Sequence, residues 1–182
     1  MKATEGKFGR VFILHFDDGD EIPGVIEKFA EDTGITAAYV AFSGGLINGE
    51  IAAGTPAPYA RPFQPCAVAI DNANTASAAG LLISDANGKP HLQLNGVCGY
   101  QEKTVAGSLR PGLKVWGGGE AAVYEIVNAA CQREVDAATG MARLRPAAAP
   151  AHSAPVSAAA EPAFVHVGDH THLLYLFNAE LN

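Results

Sequence analysis

The sequence predicts an α+β fold, a mixed but mainly antiparallel sheet with one principal helix packed on it. Three observations predict it. A single early segment carries helical spacing, the later apolar runs are strand-like and bounded by Gly, Asn and Pro, and no internal repeat organises the chain. At 182 residues, 48% of them hydrophobic, the chain can bury one good core as a single domain with an appendage.

The elements follow in order. Residues 10–16 read as a strand, with Val11, Ile13 and His15 on one face and Phe12, Leu14 and Phe16 on the other. Two apolar faces predict a buried central strand, with His15 as a satisfied core histidine. Asp17-Asp-Gly-Asp20 supplies a turn and an N-cap for the helix that follows. In that helix Ile22, Val25, Ile26, Phe29 and Ala30 share one face, Pro23 is tolerated in the first turn, and Gly34 closes the C-terminus in the left-handed region.

Residues 36–42 and 46–52 read as two strands interrupted by Ser43-Gly44-Gly45, and the Pro-rich residues 55–65 as a surface loop. Further strands are expected at 66–70, 77–84, 91–100 and 113–126, with turns at Asp85-Ala-Asn-Gly88 and Arg110-Pro-Gly112. Gly117-Gly-Gly119 has no lysine or helix start behind it, so it predicts a bulge or close strand packing rather than a phosphate cradle. Trp116 and Tyr124 read as packing residues. Residues 134–145 predict a closing strand pair around Asp136-Ala-Ala-Thr-Gly140.

Composition divides the chain into a domain at 1–146, a linker at 147–162 and a His-rich strand at 163–182. Eight of the sixteen linker residues are alanine and three are proline, too little apolar bulk to offset the entropy of ordering. The strand beyond it is expected to dock on its own domain or on a neighbouring subunit. Residues 1–146 carry 12 basic and 16 acidic side chains, and residues 147–182 carry none and 3. That balance argues against a phosphate-neutralising surface. Cys66, Cys98 and Cys131 form no CxxC pair and read as reduced, mostly buried thiols. With no signal-like N-terminus and no membrane-spanning run, a cytoplasmic location and no membrane partner are expected.

The candidate chemistry concentrates in the tail. His166, His170 and His172, with Asp169, offer imidazole and carboxylate ligands, and His170 and His172 share one strand face. The competing reading is a histidine-rich edge that binds nothing.

Several segments together resemble the plants-and-prokaryotes-conserved (PPC) domain, which also occurs in plant AT-hook proteins. They are Asp18-Gly-Asp-Glu-Ile22, Glu27–Ile35, Gly80-Leu-Leu82, Gly88-Lys-Pro-His-Leu-Gln-Leu94, Val105–Gly112 and Asp136–Leu144, in that order over roughly residues 8–146. The resemblance implies a PPC-like α+β domain assembled as a homotrimer, with a role in binding DNA. This chain has no Arg-Gly-Arg-Pro hook of the plant kind, and Arg110-Pro-Gly112 holds a single cation. Many prokaryotic members carry a His-x-His pair on one strand and a Gly-Gly-His on the next, forming a metal cluster. Here His91 keeps the first position, while Gln93 and Ser108 stand in the other two.

Two functions follow from this reading. The first is a non-enzymatic homotrimeric binding or regulatory protein carrying the family's DNA-associated role. The second is a metal-dependent small-molecule binder or enzyme with a His-lined pocket at a subunit interface. In that second case His166, His170 and His172 replace the lost imidazoles beside His91, Asp169 ligates or orients a ring, and zinc is the expected metal, with nickel or iron as alternatives.

Overall fold

The helix forms where the spacing places it from Val25 onward, while Ile22, expected on its first turn, lies ahead of it on a short strand. In the computed structural model, which describes residues 2–57 and 61–146, α1 spans Gly24–Thr33 with Ile26 and Ala30 buried. Gly34 caps it at φ 72, its N–H reaching the carbonyls of Ala30 and Glu31, and the N–H of Ile35 closes the turn on Ala30. The N-cap differs from expectation. Pro23 holds that position without a side-chain cap, while the Asp20 carboxylate accepts the N–H of Asp17.

Nine strands form one sheet: β1 (Lys7–Phe16), β2 (Glu21–Ile22), β3 (Ala37–Ile47), β4 (Gly49–Ala52), β5 (Ala67–Ile70), β6 (Asn74–Ser84), β7 (Pro90–Tyr100), β8 (Lys103–Leu109) and β9 (Leu113–Val127). Their order is β1-β9-β3-β6-β7-β8-β4-β5, with the short β2 also on β9. β10 (Cys131–Val135) and β11 (Ala142–Pro146) make the separate hairpin expected around Asp136–Gly140. All these ladders are antiparallel, and the one parallel contact among the described residues is a single bridge between Asp85 and Arg133. The fold is therefore an antiparallel sheet with one short helix, more sheet-dominated than α+β conveys.

Three expectations about strands need correction. β1 is an edge strand, not a central one: it pairs only with β9, and His15 projects into solvent 3.6 Å from Asp17 with its side chain 71% exposed. β3 runs through Gly44 and Gly45 without a break, because a side chain at either glycine would collide with the backbone at Gly119 or Trp116. The chain turns instead at Asn48, φ 55. β8 is a strand that alternation does not mark, because Lys103-Thr-Val-Ala-Gly-Ser-Leu109 has too few large apolar residues; the family resemblance alone puts one there. At Gly117–Gly119 the strand carries the expected bulge. Gly117 and Gly118 have positive φ, and the register of β3 against β9 shifts opposite them. Trp116 is more than half exposed, and of the cysteines only Cys98 is fully buried, with Cys66 exposed.

One face of the sheet carries the core. Val40 and Phe42 of β3, Leu82 of β6, Leu92 and Leu94 of β7 and Val123 of β9 pack with Ile22, Ile26 and Ile35 around α1. The sheet curls far enough that Gly49 of β4 lies against Leu113 of β9, which brings Ile51, Ile70 and Leu109 into the same core. The opposite face bears a row running from Val11 through Tyr124 and Tyr39 to Leu81 and Gln93. Val11, Ile13, Tyr39 and Val97 on this face are exposed.

The far end of β1 is tied down by charge. A register shift between Phe8 and Val11 turns Arg10 toward Glu125, whose carboxylate accepts the Arg10 backbone N–H at 2.9 Å and two guanidinium N–H groups at 2.8 Å. Arg10 also reaches the carbonyl of Thr33, joining β1, β9 and the C-terminus of α1. The Arg10 bonds hold the Glu125 carboxyl down at about 2. Its folded value lies below the unfolded one, so the stabilisation is present above about pH 4.5 and is lost as pH falls toward 2. Solvent at the half-exposed Arg10 screens the pair and keeps its contribution small. Glu125→Gln is expected to lower Tm by about 3 °C at pH 7 and to converge with the parent near pH 2. Thermal melts across pH 2–7 test this, and a constant gap between the two proteins would refute it.

Candidate functional site

β7 and β8 pair only from Tyr100–Lys103 to Asn95–Ser108. Past that point β8 leaves for β4, where Ser108 and Leu109 face Ala52 and Ile51. Gly107 permits the departure, since a side chain there would meet the carbonyl of Ala52. The start of β7 is left with an open edge. Glu27 of α1 occupies part of it, its carboxylate accepting the N–H of Leu92 at 2.8 Å.

The split in the sheet forms a cleft of about 930 Å³. Its walls include Glu27, Thr55 and Phe63, the β7 residues His91 and Gln93, Ser108 and Arg110 at the end of β8, and Arg133 with Thr139–Ala142 from the hairpin. The hairpin turn is held by Asp136. Its carboxylate accepts the Thr139 hydroxyl and the N–H groups of Ala138 and Thr139, and it pairs with Arg143 at 3.2 Å. These contacts, the Thr139 hydroxyl foremost, hold the Asp136 carboxyl below its usual range.

Three of the residues singled out from sequence meet in this cleft: His91, Gln93 and Ser108. The His91 ring lies 3.4 Å from Asp85, whose carboxyl is held low first by the Lys89 N–H and further by the Asn87 N–H and His91. Ser108 donates to the carbonyl of Leu94 at 3.4 Å. His166, Asp169, His170 and His172 lie outside the described residues, as do the expected linker and C-terminal strand.

The residue missed by sequence reading is Arg133. It is 8% exposed, and its guanidinium donates to Gln93 Oε1 at 3.0 Å, to the carbonyl of Leu81 at 3.1 Å and to that of Ala142 at 3.5 Å. Its Nε is buried with no acceptor among the described residues. Burial pushes its pKa down. In Cys131-Gln-Arg-Glu-Val135 the arginine shares its strand face with Cys131 and Val135, an alternation that could have marked the face as inward, but a charged side chain at its centre reads as solvent-facing.

This geometry bears on the metal expectation. Among the described residues no three His, Cys, Asp or Glu side chains converge as ligands. The Gln93 oxygen is taken by a guanidinium and the Ser108 hydroxyl donates to a carbonyl, so of the three inherited positions only His91 keeps ligand chemistry. A fixed cation beside Gln93 also opposes a second cation by like-charge repulsion. The described residues do not fit a metal.

Fold and cleft together define a class: a curled antiparallel sheet braced by one helix, with a polar cleft where the sheet splits. The chain belongs to the Plants and Prokaryotes Conserved (PCC) domain family, whose profile matches residues 3–127. Arg133 lies beyond that match. Among solved structures, a metal-containing protein from Archaeoglobus fulgidus is 23% identical, over 80% of this chain and 99% of its own, with a TM-score of 0.67. A plant- and prokaryote-conserved protein from Pyrococcus horikoshii is 19% identical over 80% and 99%, with a TM-score of 0.63. A protein from Bacteroides thetaiotaomicron named a "putative DNA binding protein" is 17% identical over 77% and 96%, with a TM-score of 0.58. At these identities the likeness concerns the fold. A search of curated proteins gave no significant match.

Proposed function

We propose that this protein is a non-enzymatic homotrimeric binding module whose ligand, a small molecule, occupies the cleft at the β7–β8 split. The observation that carries the reading is the cleft itself. At about 930 Å³ it falls in the range of small-molecule sites, and it gathers polar groups from four separate parts of the chain over apolar walls. Ser108 is committed to a backbone carbonyl and His91 to Asp85, so the two are not joined as nucleophile and base. Assembly is supported by the open sheet face, where Val11, Ile13, Tyr39 and Val97 remain exposed and suit contact with a second copy.

The role in DNA binding suggested by related proteins' names finds little electrostatic support here. The formal charge is −7, and Arg10, Lys28, Arg143 and Arg145 are each paired with a carboxylate.

A crystallographic fragment screen on the full chain tests the cleft. Fragments are expected between His91, Gln93 and Ser108, and a screen that populates other surfaces alone would overturn the reading. Light scattering is expected to give three chains per particle. Duplex DNA is expected to leave fluorescence anisotropy unchanged at physiological salt, and a salt-sensitive rise would favour the DNA-associated role. One zinc per chain in protein purified without nickel affinity would instead assign the site to His91 with His166, His170, His172 and Asp169.

A further inference from the structure

The cleft holds a buried positive charge with no carboxylate paired to it among the described residues. Among the described residues the three acceptors of Arg133 are an amide oxygen and two backbone carbonyls, all neutral, and its Nε has none. Other arginines in the protein are treated differently: Arg10, Arg143 and Arg145 each meet a carboxylate at the surface. Arg110, at the mouth of the cleft, forms no ion pair among the described residues. Among the described residues of the cleft wall the acid is Glu27, which accepts the Leu92 N–H, and Asp85 stands beside the wall against His91 rather than against Arg133. A buried cation without a counter-charge is costly, and an anion entering the cleft offsets that cost.

The neutral groups point the same way. With its oxygen turned to Arg133, Gln93 keeps its amide N–H groups free to donate. The buried hydroxyl of Thr55, also in the cleft wall, has no partner among the described residues.

We propose that the cleft recognises a small organic anion through its carboxylate or phosphate, with Arg133 as the buried anchor and Arg110 as the second cation at the mouth. The inference rests on the reading of the cleft as a ligand site and adds the class of ligand. The guanidinium draws oxygen anions toward the position beside Gln93 by its charge, the N–H groups not given to Gln93, Leu81 and Ala142 being left to donate.

The test is a titration of the full chain with succinate and with inorganic phosphate, followed by calorimetry and thermal melting at fixed ionic strength. Succinamide serves as the neutral counterpart. At least one anion is expected to saturate and raise Tm, while succinamide does neither. Arg133→Met is expected to weaken binding at least ~10-fold and Arg133→Lys to restore part of it, since lysine keeps the charge but loses the fork. If Arg133→Met does not fold, Arg110→Ala at the exposed mouth decides, with an expected loss of roughly threefold from a solvent-screened charge. Failure of both anions to saturate, or unchanged anion affinity in the folded variants, overturns the proposal. Neutral fragments bound in the cleft of a protein that refuses both anions would remove the anion and keep the cleft. A cleft empty of fragments and anions alike would remove both.

Discussion

Gly80→Ala is expected to be the most damaging single-methyl change in the protein. Gly80 sits on β6 opposite Leu94 of β7, and a Cβ there would run into the carbonyl oxygen of Gln93 and the Cα of Leu94. Both obstacles are backbone, so no side-chain rotation relieves them and the two strands must separate. Overpacking of this kind costs upward of about 3 kcal/mol against a typical margin of 5–15 kcal/mol. The expected result is a Tm lower by ~10 °C or more, or insoluble protein. Strand separation would also move Gln93 away from Arg133, so ligand affinity should fall with stability. Circular dichroism melts settle it: a Tm within about 2 °C of the parent would mean the strands are not held this close.

Ile26→Ala should follow, at about 3 kcal/mol within the 2–5 kcal/mol range for such truncations. Ile26 is fully buried on the inner face of α1, and its removal leaves a cavity between helix and sheet. Ile26→Val, losing one methylene, should cost about 1 kcal/mol. Guanidinium denaturation separates the two, and equal midpoints would show that this face of α1 is not tightly packed. The helix also carries Glu27 to the open edge of β7. Loosening α1 is therefore expected to speed hydrogen exchange at the Leu92 amide, an effect measurable site by site.

The candidate site was half legible in the sequence. His91, Gln93 and Ser108 could be named because their spacing resembles a known family, and they do line one cleft. Arg133 could not. Its inward position depends on the hairpin folding back so that β10 touches Asp85, a contact across 48 residues that no local pattern encodes. β1 shows the same limit: alternation with two apolar faces predicts burial, yet Val11 and Ile13 are exposed because they lie on the sheet face turned away from the core. Gly44 and Gly45 were read as a break, although their missing side chains are what let β3 approach β9 closely and continue.

What the sequence alone determined is local or additive. The helix and its Gly34 stop follow from spacing and left-handed geometry, the closing hairpin from the Asp136–Gly140 turn, and the acidic character from composition. The tertiary structure decided which strands became neighbours, and with them the site. Periodicity tells a residue which side of its own strand it occupies, but the cleft exists because β8 abandons β7 for β4 at Ser108. That departure brings residues from α1, β7, β8 and the hairpin to one place, and it is set by long-range pairings whose energies no short window of sequence contains.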